Sequence, residues 1–174
     1  MNREVVSRRA ADLLAESGVL AVPVPVEQIA VAKGIQIIKS AADWSESGFL
    51  LRDNGRVIIG INARNSPKRQ RFTIAHELGH WLMHDGKPLI VDQSVMINKR
   101  DDVSSQATDS QEIQANQFAA DLLMPKEFIM DELRRQMNPG IGSREELITL
   151  LARTFDVSND AMNWRLINLG VLLS

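Results

Sequence analysis

Apolar residues recur at intervals of three and four along most of this chain, which is the spacing of a helix that buries one face. The first such stretch covers residues 3–16, and Gly18 follows it in the place of a C-cap. Later stretches begin with helix-start signals, such as Ser66-Pro67 and the capping-box pattern that starts at Ser143. These patterns predict helices over residues 3–16, 26–32, 67–84, 110–123, 125–137, 143–155 and 159–169.

Runs of β-branched and aliphatic residues predict a small sheet between the second and third helices. The expected strands are residues 35–38, 48–51 and 56–61. Asp53-Asn54-Gly55 joins the last two and is a strong hairpin-turn signal. We therefore expect an α+β fold that is mainly helical, with a three-stranded, mostly antiparallel sheet packed on the helix at 67–84. Residues 86–111 lose apolar periodicity, which predicts a long irregular segment that overhangs the cleft.

Length and composition favour one globular domain over residues 1–174. We divide it into N-terminal helices and sheet (1–66), two central helices with their long connection (67–125) and C-terminal helices (126–174). The chain has no Cys, which excludes a disulfide framework, a thiolate zinc ribbon and a cysteine nucleophile. Its net charge of −2 offers no bulk attraction for nucleic acid or an anionic membrane. With neither a signal peptide nor an apolar run of about 20 residues, we expect a cytoplasmic protein.

The central predicted helix contains an H-E-x-x-H pattern, His76-Glu77-Leu78-Gly79-His80. Two histidines four residues apart on a helix are about 6 Å apart along its axis and about 40° apart around it, so both rings reach one ion. Glu77 lies on the flank of that pair, where a carboxylate can take a proton from a water activated by the ion. The pattern also occurs by chance in ordinary helices, but this chain has 3 histidines and all lie within residues 76–84.

An ion held by two histidines needs a third protein ligand. A metzincin would have histidine ten residues after His76, where this chain has Gly86. The best candidate is Glu112, on the predicted helix at 110–123, where it shares one face with Asn116. The Asn116 amide oxygen could accept the free N–H of one histidine ligand and fix its tautomer. The alternative interpretation of Glu112 is a solvated charge at the start of a helix. The other candidates for the third ligand are the carboxylates of Asp92, Asp101 and Asp109.

The group that would stabilise a developing oxyanion is left open by the sequence. The chain has no Tyr, so the candidates are His84, Arg71 or a backbone N–H from residues 85–110. His84 is about 12 Å beyond His76 along a straight helix and cannot share the same ion. The alternative to an oxyanion role is that His84 is a charge or a cap at the C-terminal end of the helix.

Two further interpretations compete with a metal-dependent enzyme. Residues 143–169 read as helix, turn and helix, with Asn163 and Arg165 on the second helix, which mimics a DNA-binding helix-turn-helix. That second helix has no basic stripe for phosphates, so packing helices explain it better and we do not expect direct nucleic-acid binding. A protein could also keep the metal and bind its partner without cutting it. Two imidazoles and a carboxylate suit Zn²⁺ but also accept Mn²⁺ or another divalent ion.

Two blocks of the chain, residues 71–81 (RFTIAHELGHW) and 112–125 (EIQANQFAADLLMP), resemble the ImmA/IrrE family of bacterial and phage metallo-endopeptidases. The likeness covers most of residues 20–170. It implies a zincin-like core and a zinc peptidase of the gluzincin type. Members typically cleave or otherwise inactivate a helix-turn-helix repressor in phage, mobile-element, toxin–antitoxin or stress-response settings, so the expected partner is such a repressor.

The resemblance also assigns roles to residues of this chain. It implies that His76, His80 and Glu112 are the zinc ligands and that Glu77 is the general base. Many members carry Glu where this chain has Gln114, a residue that we do not expect to be a ligand.

Overall fold

The computed structural model describes residues 1–41, 47–85, 88–92, 106–136 and 143–173. Within these residues two helices come first, then three strands, a long helix, a fourth strand and four further helices. In chain order the elements are α1 (Arg3–Glu16), α2 (Val26–Ala32), β1 (Ile35–Ser40), β2 (Gly48–Asp53), β3 (Arg56–Asn62), α3 (Pro67–Met83), β4 (Leu89–Asp92), α4 (Gln106–Leu123), α5 (Lys126–Gln136), α6 (Arg144–Phe155) and α7 (Asn159–Asn168).

The strands form a mixed sheet in the order β1-β3-β2-β4. Strands β2 and β3 are the predicted hairpin, in antiparallel register from Gly48 opposite Ile61 to Asp53 opposite Arg56. Its turn residues both have positive φ, 46° at Asn54 and 80° at Gly55. This is the backbone that a two-residue hairpin turn requires, so the turn signal is confirmed.

The α+β class is confirmed, but the sheet differs from the expected three-stranded, mostly antiparallel one in two respects. Strand β1 pairs with β3 in parallel, and the strand order places β1 and β2 on opposite sides of β3, so these two consecutive strands are not neighbours. A fourth strand, β4, lies within residues 86–111, which we predicted to be irregular, and pairs antiparallel with β2. A strand of four residues is defined by its partner more than by its own pattern. The expected overhang above the cleft falls on residues 93–105, outside the described ranges.

Helix α3 runs through the centre of the molecule. Ser66 caps it by accepting a hydrogen bond from the backbone N–H of Arg69 at 3.3 Å, and Pro67 is its first residue, as the sequence predicts. The eight consecutive residues from Thr73 to His80 are all buried. A helix buried on every side must pack against several elements, and α3 contacts the sheet on one side and α4 on another.

A close approach between α3 and α4 is made at Gly79. A Cβ added there would lie 3.1 Å from Cδ1 of Phe118 and 3.2 Å from Cα of Ala115. Both Phe118 and Ala115 are fully buried on α4. Glycine therefore allows the two helices to pack closely at this level, directly before His80 and three residues after His76.

Arg52 of strand β2 fixes the C-terminal end of α3. Its guanidinium donates to the carbonyl oxygen of His80 at 2.9 Å and to that of His84 at 3.0 Å. The last carbonyls of a helix have no partners within the helix and carry partial negative charge. The sheet thereby supplies the cap for the end of α3 that carries His80 and His84.

The C-terminal helices are joined to the rest by a buried ion pair. Arg165 on α7 pairs with Asp121 on α4 at 2.5 Å and donates to the carbonyl oxygen of Met124 at 2.9 Å. Asn163, also on α7, accepts a hydrogen bond from Arg144 of α6 at 3.0 Å. The two side chains that a DNA-binding α7 would present to a duplex are engaged within the protein, which favours the interpretation of residues 143–169 as packing helices.

One hydrophobic core extends through all three expected parts of the domain. It includes Val6 near the N-terminus, Ile59 in the sheet, Phe118 on α4 and Leu166 on α7, each at most 1% exposed. None of the described helices combines the length and apolar character that crossing a bilayer requires.

The contact at Gly79 predicts that Gly79→Val destabilises the protein. The branched side chain has no room between α3 and α4, and overpacking of this kind costs about 1–3 kcal/mol. Ala11→Val is the matched control, because Ala11 is exposed on α1 and the helix propensity of valine alone costs under about 0.7 kcal/mol. Urea unfolding with EDTA present measures both. Equal stability of the two variants would contradict close packing at Gly79.

Candidate metal centre

Side chains from α3 and α4 converge on one point. The Nε2 atoms of His76 and His80 are 3.0 Å apart. Glu112 reaches them from α4, with Oε2 3.1 Å from Nε2 of His76 and Oε1 3.2 Å from Nε2 of His80. The ligand atoms of the three residues all lie within 4.8 Å of one another, so one cation could contact all of them.

The site is buried on the histidine side and open on the glutamate side. His76 is 2% exposed and His80 1%, whereas the side chain of Glu112 is 19% exposed. Burial raises the pKa of Glu112, but hydrogen bonds and charge from the two rings outweigh it and lower the pKa to about 2. The Glu112 carboxylate is therefore ionised at neutral pH, in the state that a metal ligand requires.

Asn116 holds His76 from the side opposite the convergence point. Its Oδ1 lies 3.0 Å from Nδ1 of His76. An amide oxygen can only accept a hydrogen bond, so the proton of a neutral His76 is on Nδ1 and its Nε2 carries a lone pair. Asn116 is one helical turn after Glu112 on α4, which is the arrangement expected from their shared face.

His84 lies behind His80 and has both ring nitrogens engaged. Its Nδ1 is 3.0 Å from Nδ1 of His80, and its Nε2 is 3.2 Å from Oε1 of Gln114. His84 caps α3 with an extended backbone, φ −125° and ψ 90°, which fits the expectation of a cap. Burial lowers its pKa, opposed in part by the Gln114 contact, so burial favours the neutral ring. This placement does not support His84 as the donor to an oxyanion.

The donor set fits a metal ion. When both rings are neutral, with Nδ1 of His76 donating to Asn116 and Nδ1 of His80 facing His84, the two Nε2 atoms present lone pairs to each other and to the carboxylate of Glu112. Two nitrogen lone pairs 3.0 Å apart, each 3.1–3.2 Å from a different oxygen of Glu112, repel one another and the carboxylate unless a proton or a cation lies among them. A divalent ion satisfies all three at once.

Glu77 follows His76 directly on α3 and is fully buried. Strand β2 begins close to this carboxylate. A Cβ added to Gly48 would lie 3.8 Å from Oε1 of Glu77 and would overlap Cγ2 of Thr73. Glycine at position 48 thus lets the sheet approach α3 at the level of Glu77. The carboxylate is enclosed between helix and sheet.

Arg71 is directed away from this centre. Its guanidinium donates to the carbonyl oxygens of Val24 at 3.0 Å and Asp156 at 3.3 Å and pairs with the Asp156 carboxylate at 3.2 Å. It joins α3 to the segment before α2 and to the end of α6. This placement does not support the oxyanion role considered for Arg71.

The rival carboxylates and the backbone donors considered for the oxyanion fall on a part of the chain that is largely not described. The side chains of Asp92, Asp101 and Asp109 lie outside what the structure describes, as do most of residues 85–110. Among the described carboxylates, Glu112 is the one that joins both histidine rings.

A cavity of about 640 Å³ lies beside the centre, between α3, α4 and α7. Asn116 forms part of its wall, so the cavity reaches the residue that holds His76. Aromatic side chains line it on two sides, Phe72 from α3 and the half-exposed Trp164 from α7. The cavity is large enough to receive side chains of a polypeptide.

Sequence reasoning assigned no role to Gln114, which contacts His84 in the structure. The available signal was positional, since Gln114 follows Glu112 by two residues and His84 follows His80 by four. The spacing of His80 and His84 favours a contact between those two rings. It does not show that Gln114, which lies on another helix, contacts His84.

Two relatives, both named radiation response metalloprotease IrrE, are similar to this chain. The protein from Deinococcus deserti is 36% identical over 102 residues, which are 58% of this chain and 32% of the relative. The protein from Deinococcus radiodurans is 29% identical over 126 residues, 72% of this chain and 34% of the relative. The matched regions thus span about a third of each relative.

The family model Peptidase_M78, described as the IrrE N-terminal-like domain, matches residues 30–166. That range contains all three residues of the candidate metal centre. The resemblance seen in the sequence is confirmed, and the chain belongs to the Peptidase_M78 family of IrrE N-terminal-like domains.

Proposed function

We propose that this protein is a zinc-dependent endopeptidase in which His76, His80 and Glu112 hold the ion and Glu77 is the general base. The observation that carries the proposal is the convergence of two Nε2 atoms and one ionised carboxylate within 3.0–3.2 Å. Membership of a peptidase family and two relatives named as metalloproteases support it.

The donor set favours zinc over other divalent ions. Two imidazoles and one carboxylate are the ligands of many catalytic zinc sites, which leave a fourth position open. The two Nε2 atoms are 3.0 Å apart and each meets a different oxygen of Glu112, at 3.1 and 3.2 Å, so one small cation could contact both rings and the carboxylate. Mn²⁺ prefers more oxygen ligands in octahedral geometry.

The residues divide the chemistry of peptide hydrolysis among them. When bound, a divalent ion would polarise a peptide carbonyl and lower the pKa of water. Hydroxide, the stronger nucleophile, then becomes available near neutral pH to attack the carbonyl carbon. Glu77 accepts the proton of that water and delivers it to the nitrogen of the leaving amine. Its enclosure between α3 and β2 keeps the carboxylate in place for both transfers. Glu112 balances part of the charge of the ion.

The proposed substrate is a helix-turn-helix transcriptional repressor, which the resemblance to the ImmA/IrrE family implies. Cleavage would relieve repression in a phage, mobile-element, toxin–antitoxin or stress-response setting. A repressor acts on DNA in the bacterial cytoplasm, so the protein would work there. The cavity beside Asn116 is available for substrate side chains next to the bond that is cut.

Glu112→Gln should weaken zinc binding by more than about 100-fold, because loss of even an outer partner of a metal ligand costs about 10–100-fold. Glutamine keeps the shape of the side chain and removes the charge. Competition with a chromophoric chelator measures the Kd. Glu145→Gln, an exposed change on α6, is the control and should leave the Kd unchanged. Equal zinc affinity in the two variants would remove Glu112 from the ligand set.

Glu77→Gln should keep zinc and lose cleavage, with kcat/KM lower by about 10²–10⁴-fold, the usual contribution of a general base. The test incubates the protein with the helix-turn-helix repressor encoded beside its gene and detects fragments by mass spectrometry. Chelator should stop cleavage by the unchanged protein, and added zinc should restore it.

The outcomes separate cleavage from binding alone. Discrete fragments that form with zinc and disappear with chelator or with Glu77→Gln support the proposed peptidase. Zinc-dependent release of the repressor from DNA without fragments would instead make the protein a metal-containing regulator that displaces its partner. A Glu77→Gln variant that cuts at the normal rate would refute the role of Glu77.

A further inference from the structure

The partner behind His80 is a second histidine. Histidine ligands usually donate their second N–H to a carboxylate, a backbone carbonyl or water. Here Nδ1 of His80 faces Nδ1 of His84 at 3.0 Å, and a neutral imidazole accepts only through its unprotonated nitrogen. Whether His84 can accept depends on which of its own nitrogens carries the proton.

Gln114 decides that question. Its Oε1 lies 3.2 Å from Nε2 of His84, and its Nε2 donates to Oγ of Ser110 at 3.0 Å. In this orientation the amide presents its oxygen to His84. Since that oxygen only accepts, the proton of His84 is on Nε2, and Nδ1 of His84 is left to accept from His80.

The proton positions then follow along the whole chain of contacts. His84 donates from Nε2 to Gln114, and His80 donates from Nδ1 to His84. The remaining nitrogen of His80, Nε2, carries a lone pair directed at Glu112 and at Nε2 of His76. A single amide on α4 thus determines the tautomer of a ring on α3 through the intervening histidine.

On the basis of the metal site proposed above, we infer that His84 and Gln114 are positioning residues for zinc. They fix the tautomer and the ring orientation of His80 and thereby raise the affinity of the site. Neither residue contacts the ion. His84 is 6% exposed, so water does not readily replace it as the acceptor for His80.

Helix α4 therefore acts on both histidines as well as supplying a ligand. Glu112 faces the convergence point, Gln114 acts on His80 through His84, and Asn116 contacts His76 directly. His84 takes part because it follows His80 by four residues at the end of α3, where its backbone N–H donates to the carbonyl oxygen of His80 at 3.0 Å. Arg52 holds the carbonyl oxygen of His84 at 3.0 Å, which fixes the backbone from which the ring projects.

The test compares zinc affinities of the full chain with changes at His84. Phenylalanine keeps a ring and removes the acceptor, so His84→Phe should weaken zinc binding about 10–100-fold, the usual effect of losing such a partner. His84→Asn is the rescue variant, because its amide oxygen takes a position close to that of Nδ1 and can accept from His80. It should recover most of the affinity lost in His84→Phe.

Changes at Gln114 test whether it acts through His84. Gln114→Leu should weaken zinc binding by a smaller factor, and Gln114→Glu, which still accepts from His84, should bind at least as tightly as the unchanged protein. The double variant His84→Phe/Gln114→Leu should bind no more weakly than His84→Phe alone. Gln117→Leu is the matched control and should leave zinc affinity unchanged. Gln117 lies one turn further along α4, where it donates to Asp121 at 2.9 Å.

A second readout does not depend on affinity. Long-range ¹⁵N–¹H correlation spectra of the zinc-loaded protein show which nitrogen of His84 carries the proton, and Nε2 is expected. A proton on Nδ1 would overturn the inference, because His84 could not then accept from His80. Equal zinc affinity of His84→Phe and the unchanged protein would also overturn it. If the unchanged protein binds no zinc, the proposed function itself fails, and the two failures are thus distinguishable.

Discussion

The central constraint on this structure is the electrostatic repulsion among the side chains of His76, His80 and Glu112, which a bound cation would relieve. Two imidazole nitrogens with lone pairs and one ionised carboxylate lie within 3.0–3.2 Å of one another. Charges and lone pairs at such distances in a buried place destabilise a fold unless they are compensated. The two helices that bring them together, α3 and α4, pack closely on each other at Gly79, so the core fixes the backbone positions from which these side chains project. Binding a divalent ion turns this unfavourable arrangement into a stabilising one.

The surrounding contacts hold that arrangement in place. Gly79 permits close packing of α3 on α4, Arg52 holds the last carbonyl groups of α3, and the buried pair of Asp121 with Arg165 anchors the far end of α4. Outer contacts to Asn116 and His84 then orient the two rings. A ligand set assembled from rigid helices keeps its geometry better than one built on loops. The short sheet contributes by covering Glu77 through the glycine at position 48.

Sequence reasoning succeeded where local periodicity determines the structure. The spacing of His76 and His80 places both on one face of a helix, and the face shared by Glu112 and Asn116 orients the second helix. The hairpin between β2 and β3 follows from its turn residues. The structure brings the side chains of His76, His80 and Glu112 together, and their role as metal ligands stays a proposal.

Features that depend on distant partners were not predictable in this way. Strand β4 pairs with the edge that β2 offers, and β1 pairs in parallel with β3, a strand that does not follow it directly in the chain. The contact of His84 with His80 follows the i, i+4 spacing of a helix, but the contact of His84 with Gln114 requires the two helices to be docked. Arg71 and His84 are candidates for the oxyanion by residue type alone, because charge and ring type do not show where a side chain points.

A crystal structure of the zinc-loaded protein, with an anomalous difference map at the zinc edge, tests the central claim most directly. The expected result is a single strong peak bonded at about 2.0–2.2 Å to Nε2 of His76, Nε2 of His80 and one carboxylate oxygen of Glu112. A peak elsewhere in the molecule, or a peak at the two rings with the carboxylate of Glu112 turned outward, would contradict it.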